Sequence, residues 1–360
     1  MSVEQTTPTV RVVKTGIIDS RDSAFPKAIQ LPDGNILCSF SVGGGAEVTG
    51  HTEWARSTDC GENWTNQGTL LPRDEEREMA NFLKLSLAPD GKTIYAYGSE
   101  IDADNSRKFG NREMNAILCQ SNDGGQTWTA PRRVDLGSEC DFEVSFSALA
   151  LSSGRLLAPG ATLADEMKLG ERVVVAISDD QGETWPRHST VFYDPAGEKV
   201  FFEHKFSELP GGDILATAWT ATPGDYRDLE NHYAVSQDQG LTWSPARSTG
   251  IRGQTLSTVS LGQNRLLVLY NRRYGKQAIV MCLVAFDDEG WTVHYEDVMY
   301  DAHASHERAK SVETGIEEFD TFAFGFPTAI ALQDGSILAT HWCQERGSCG
   351  IRWTRLAVNW

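Results

Sequence analysis

The chain has 360 residues, with 50 acidic against 32 basic side chains and a formal net charge of −18. This balance excludes nucleic acid and anionic membrane surfaces as partners. No run reaches bilayer-spanning length and the opening MSVEQTTPTVRVVKTG has no signal-peptide core, so with seven cysteines lacking CxxC spacing a reduced, cytoplasmic protein is expected.

In chain order, the predicted elements are short strands between turns. Val10 to Ile18 reads as a strand, and LPDGNIL (from Leu31) as strand–turn–strand. The phrase STDCGENW (Ser57 to Trp64) follows, then a trace of helical periodicity over Glu75 to Phe82. Next come LAPDGKTI (from Leu87), SNDGGQTW (Ser121 to Trp128), LSSGRLL (from Leu151) and SDDQGETW (Ser178 to Trp185). LPGGDIL (from Leu209), SQDQGLTW (Ser236 to Trp243), LGQNRLL (from Leu261), a decayed FDDEGW (Phe286 to Trp291) and LQDGSIL (from Leu332) complete the series.

The four Trp phrases share the form S-x-D-x-G-x-T-W, with Asn63 replacing Thr in the first, and start 64, 57 and 58 residues apart. A fixed period of this size marks a repeat architecture. The Asp accepts backbone N–H groups ahead of it, the Gly takes a left-handed conformation, and the Trp opens the next strand. One carboxylate per copy makes a poor calcium cage. Asp59, Asp123, Asp180 and Asp238 are therefore read as turn-formers, and no metal or other cofactor is expected. His303 and His306 of HASH stand at i and i+3 without a third ligand and read as polar loop.

Six turn phrases imply six units of four antiparallel strands, an all-β, six-bladed β-propeller over residues 1–360 as one domain. The sixth unit has too few residues for a fourth strand, so Val10 to Ile18 is expected to close it and remove a sheet edge. Strand parity puts the LxxG and Trp turns on one face. The longer connections, Ser41 to Glu53, Ser99 to Glu113, Thr162 to Glu171, Thr220 to Asn231 and Tyr300 to Asp320, fall on the other, which reads as the binding face. The tops of the innermost strands there carry Arg21 and Asp22, Arg77 and Glu78, Asp141 and Glu143, Glu203 and His204, Arg252, and Asp320 followed by Phe322, Phe324 and Phe326. Any one could be a solvated rim charge, and Arg77 has acids beside it in DEERE (Asp74 to Glu78). So many charges converging on one axis need pairing or a charged ligand.

The boxes and their spacing resemble the sialidase superfamily, whose Asp-box (BNR) repeats have this form. The resemblance covers nearly the whole chain and implies a sialidase-like propeller with its site on the face away from the boxes. It also implies a catalytic set, which this chain keeps only in part. Pro26 fits the family's Arg-Ile-Pro opening, but Ala24 stands at the Arg, with Arg21 nearby. Glu203, nine residues before Gly212 in EHKFSELPGG, fits the family's Glu. The Arg expected after it is missing around Trp219, and Phe326 stands where the nucleophilic Tyr is expected. The acid/base loop corresponds to GGGAEVTGHTE, with Glu47, His51 and Glu53 but no Asp.

Fold does not fix function. A glycosidase needs two flanking carboxyl groups. Glu203 is the first candidate, with Glu143 or Asp141 beside it and Asp22 and Glu47 in reserve. Arg21, Arg77, Arg252 and Arg272, with Glu78 and His204, are candidates for binding the carbohydrate substrate. The resulting expectation is an exo-acting, sialidase-like glycoside hydrolase working with a carboxylate pair. The alternatives are a uronate lyase using His204, His232, Tyr226 and Arg227 (or His51 or His341), and a non-catalytic glycan-binding propeller stacking sugars on Trp54 or Trp219.

Overall fold

Each turn phrase closes a hairpin, and the hairpins assemble into blades. In the computed structural model, which describes residues 7–107, 110–287, 290–302, 323–345 and 347–360, the strands form six antiparallel sheets arranged as a six-bladed β-propeller. Blade 1 runs Ser23–Gln30, Ile36–Val42, His51–Ser57 and Thr65–Leu71 from the axis outward. Blades 2, 4 and 5 repeat that order from the inner strands Met79–Leu87, Val200–Glu208 and Gln254–Gly262. In blade 3 the inner strand is split into Asp141–Glu143 and Leu149–Ala150, both paired with Leu156–Leu163. Blade 6 contains Phe324–Ala331, Ile337–Glu345 and Ser348–Asn359, and Thr9–Asp19 pairs antiparallel with the last of these as its outermost strand.

The stretch Glu75 to Phe82 is not helical. Asp74 and Met79 form an isolated bridge, and Met79–Leu87 is a strand paired with Ile94–Asp102. Seven of its nine residues are buried, and packing between neighbouring blades overrides local propensity. FDDEGW closes a tight hairpin in which Phe286 pairs with Trp291 and Asp287 with Gly290.

The four boxes fold alike. Ser57, Ser121, Ser178 and Ser236 donate Oγ–H to the Asp two residues on and accept the N–H of Gly61, Gly125, Gly182 and Gly240. The same Asp oxygen accepts the backbone N–H of Asn63, Thr127, Thr184 or Thr242 at 2.8–2.9 Å. Hydrogen bonds led by Asn63, Thr127 and Ser178 respectively hold Asp59, Asp123 and Asp180 down to about 2. The left-handed box glycine lies against the preceding blade: a Cβ at Gly182 would come within 2.6 Å of Leu118.

The opposite ends of the inner strands are irregular. Nine residues before the turn Gly, or before its counterpart Asn264, stand Phe25, Glu203, Thr255 and Phe326, with φ of 56, 45, 59 and 52°. The ladder slips at each, between Ala24 and Lys27, Phe202 and Lys205, Gln254 and Ser257, and Gly325 and Thr328. Four of six inner strands thus bulge at one level, which re-aims a side chain toward the axis. Left-handed non-glycine residues cost about 1–3 kcal/mol each and persist where function or packing holds them.

Candidate active site

The bulged residues surround a cavity on the axis. Glu203, Phe25 and Phe326 meet there with Glu143, Lys84, Phe82, Phe202 and Trp219, beneath a cap of Ala46, Glu47 and Val48. The space is about 770 Å³ including its mouth. A side compartment adds Gln254, Arg273 and Trp342. The lining comes from the starts of inner strands, the ends of second strands and the loop after Ile36–Val42. The boxes share the other face with the LxxG turns, as Arg355 shows by binding both Asp334 and the Cys60 carbonyl.

Two carboxylates lie together on the cavity wall. Glu143 Oε2 accepts the backbone N–H of Glu203 at 3.3 Å, and Thr255 donates its hydroxyl to Glu203 Oε2. Burial, then the charge of Glu203, pushes Glu143 up to about 7. Like charges in a desolvated site cannot both ionise freely, so such a pair divides into an acid and a base.

Cations surround this pair. Lys27, Lys84 and Lys205 each stand seven residues before a turn glycine (Gly34, Gly91, Gly212), so they occupy one layer. All three are buried. Lys84 Nζ lies 3.8 Å from the Phe82 ring centre and Lys205 Nζ 4.5 Å from that of Phe326. Lys27 and Lys205 both sit 5.5 Å from Phe146. Desolvation lowers Lys27 to about 8 and Lys205 to about 7, and holds Lys84 well below its ordinary value. Arg273 Nε donates to Gln254 at 2.6 Å. Gln254 donates to Asp228, which also accepts Trp219 Nε1 at 2.8 Å. This chain of bonds ties the side compartment to the main wall. Arg112 lines the cavity while donating twice to the Asp102 carbonyl.

Of the residues singled out by sequence, Glu203, Glu143 and Glu47, together with Trp219 and Phe326, line the cavity, and the others line neither compartment. Asp141 accepts the Met114 N–H of the preceding blade. Asp22 accepts Gly44 N–H at the rim. Arg21 is held by Asp19 and Glu53, and Arg77 by Glu100, Asp74 and Glu113. Glu78 is exposed in the turn before its strand. Arg252 stacks on Tyr274. Arg272 donates to the Lys276 carbonyl, on the side away from its neighbour Arg273. His204 alternates away from Glu203 and is buried beside Phe206, where desolvation lowers it to about 3. His232, buried in the third strand of blade 4, and His341, packed at a tilt against Tyr300, are outside the cavity too. Tyr226 packs edge-on against Phe202, and Trp54 lies buried against Gly125 of the next box. Phe326 and Ala24 are buried. Asp320, Phe322, His303 and His306 lie outside the described residues. Among the described residues no three His, Cys, Asp or Glu are grouped to hold a metal ion.

Lys84, Lys205, Arg112 and Arg273 did not emerge from sequence reasoning. The common seven-residue offset of the lysines was the available signal for two of them.

A propeller with boxed turns on one face and a charged axial cavity on the other defines the sialidase-like class. The chain belongs to the BNR repeat-like domain family, whose model matches residues 34–338. No curated protein matches it. Among solved structures it is similar to a protein of unknown function from Dyadobacter fermentans DSM 18053, with TM-score 0.76, 21% identity and coverage of 97% of this chain and 99% of that one. It is also similar to the Penicillium chrysogenum alpha-L-arabinanase complexed with arabinobiose (TM-score 0.65, 15% identity, 97% and 98% covered). The NanB sialidase from Streptococcus pneumoniae matches at TM-score 0.62 and 14% identity, with 99% of this chain and 71% of that one covered. At these identities the likeness is one of fold.

Proposed function

We propose that the axial cavity is the active site of a glycoside hydrolase that acts on the end of a small glycan with Glu143 and Glu203 as its carboxylate pair. The observation that carries this reading is the contact of Glu143 with the Glu203 backbone on a wall where burial raises Glu143 to about 7. A carboxyl that keeps its proton near neutrality can deliver it to a leaving glycosidic oxygen. Glu203, with one oxygen fixed by Thr255, then attacks the anomeric carbon or activates water. Trp219, Phe25 and Phe82 offer apolar surface to the C–H face of a sugar ring, and Lys84 and Arg273 offer charge to its oxygens. Phe326 has no hydroxyl, so the reaction does not run through a tyrosine nucleophile at that position. The arabinanase and the sialidase among the structural neighbours, both glycosidases by name, support the class. The lyase alternative is weakened because His204, His232 and His341 stand outside the cavity.

The test is turnover of a panel of aryl glycosides, arabinosides and sialosides included. Wild-type kcat/KM is expected to fall as pH rises through about 7, where Glu143 loses its proton. Glu143→Gln should lose that limb and hydrolyse poor leaving groups about 10²–10⁴-fold more slowly, while activated aryl groups suffer less. A Glu143→Gln protein fully active on poor leaving groups, or rapid release of sialic acid from an aryl sialoside, would sink this assignment.

A further inference from the structure

At every boxed seam, a side chain of the preceding blade clamps a box carbonyl. Arg355 donates to Cys60, Arg56 to Gly124 at 2.6 Å, Gln120 to Gln181 at 2.5 Å and Arg155 to Gln239 at 3.2 Å. The seam between blades 4 and 5 has no box to clamp, because blade 5 turns through the short FDDEGW hairpin. The clamping positions of blade 4 have changed to match. Asp213 follows its turn glycine as Arg155 does in blade 3, and Val235 precedes its box serine as Arg56 and Gln120 do in blades 1 and 2.

An open groove remains there, about 1570 Å³ including its open side. Trp243 is the part-exposed ring of its floor, with Tyr233 and Phe286 buried behind it and Asp213, Gln237 and Arg247 on its walls. Trp291 of blade 5 packs on Tyr233 at 5.4 Å, and the Arg247 guanidinium lies over the same ring at 5.8 Å. Tyr233 is only 2% exposed, yet its phenolic oxygen has no hydrogen-bond partner among the described residues. Where the four boxed seams present donors to a carbonyl, this one presents the Asp213 carboxylate and the unsatisfied Tyr233 phenol. Buried polar groups of this kind demand a partner.

We propose that this groove is a second carbohydrate subsite, which takes a neutral oligosaccharide segment. Trp243 offers a part-exposed ring to the C–H face of a sugar, Asp213 accepts from hydroxyls, and Arg247, which lies over Tyr233, donates to ring or hydroxyl oxygens. Asp213 and Asp238 against Arg247 leave the groove acidic, which disfavours uronates and other anionic sugars. The subsite rests on the proposed function only in that the protein meets glycans. It lies on the box face, away from the cavity, so it would hold a polymer and not present it for cleavage.

The experiment is titration of the full chain with linear arabinohexaose and xylohexaose, read by tryptophan fluorescence and by saturation-transfer NMR. Asp213→Arg, which restores the clamp-type side chain, should weaken binding about tenfold or more and leave turnover of a small aryl glycoside unchanged. Asp213→Asn serves if the charge reversal disturbs folding, and it should weaken binding in the same direction. The double variant Glu143→Gln/Glu203→Gln should still bind at the groove. Failure of the glycosidase reading would therefore appear in turnover alone, separate from failure of the subsite. Absence of binding at millimolar sugar, binding that ignores Asp213, or capture of a lysine-rich peptide in preference to both sugars would overturn the proposal.

Discussion

On the box face, Ser57, Ser121, Ser178 and Ser236 make the same bonds in four blades, with the same Asp and Gly partners. On the cavity face, one register position across the blades carries Phe25, Phe82, Ser145, Glu203, Thr255 and Phe326, and four of these six are bulged into left-handed backbone. The repeated face satisfies its backbone groups within each turn and presses each turn on the preceding blade. The varied face gives up ladder hydrogen bonds, holds strained residues and buries charge. Stability thus resides where the sequence repeats, and reactivity where it departs from the repeat.

Substitutions on the two faces should separate these roles. The largest effect is expected for Glu203→Gln, which keeps volume and removes basicity: kcat should fall about 10²–10⁴-fold with little change in Tm. A destabilised but fully active variant would move Glu203 to the structural side. Lys27→Met comes next and sharpens the comparison from within the cavity face. Lys27 is buried with a folded pKa of about 8, below its ordinary value. Its contribution to stability is present at high pH and lost as pH falls through the folded value, so the charge is a full burden at pH 7. Met should add on the order of 2 kcal/mol at pH 7 and little at pH 11, by chemical denaturation at both pH values. Equal gains at the two pH values would mean that packing, not charge, decides. Asp180→Ala on the box face should cost about 1–2 kcal/mol by leaving the Thr184 N–H and hydroxyl without their acceptor. Activity of the folded fraction should stay at the wild-type level. The smallest effect is in acid. The box carboxylates titrate below their ordinary value, so their stabilisation is present above about 4 and fades as pH falls toward 2. The four-box protein should lose more stability over that window than Asp180→Ala does.

The boxes, the LxxG turns and the number of blades were legible because they are local: a turn is set by a few adjacent residues. The register of Glu203 was legible by counting back from Gly212. What counting could not give is the direction in which a strand-top charge turns. Arg21 and Arg77 point along the rim because Glu53 and Glu100, on strands of their own blades, and Glu113, just before Met114–Ser121, stand to receive them. Glu143 and Asp141 share one short strand, yet only Glu143 reaches the cavity wall, because Asp141, nearer the rim, accepts the Met114 N–H of the preceding blade. Arg272 and Arg273 differ by one residue at the end of the strand Arg265–Arg272, and only the second enters the side compartment. The lysine layer was missed for another reason: a lysine inside a run such as NFLKLSL reads as an exception to an apolar pattern, not as a member of a ring.

Blade 6 couples the two ends of the described chain. Among the described residues Thr9–Asp19 finds its ladder partner in Ser348–Asn359, so a ribosome must deliver the far end of this stretch before the strand has a ladder to join. Closing a loop of that length costs about 5 kcal/mol in chain entropy on the logarithmic scale. The newborn chain meanwhile carries Val12, Val13 and Ile17 on an unpaired segment, and the finished sixth sheet would show an open edge to any other molecule in the same state. Two unfinished copies can each supply the strand that the other lacks, so loss of residues 9–19 should convert a closed ring into a source of strand-exchanged oligomers.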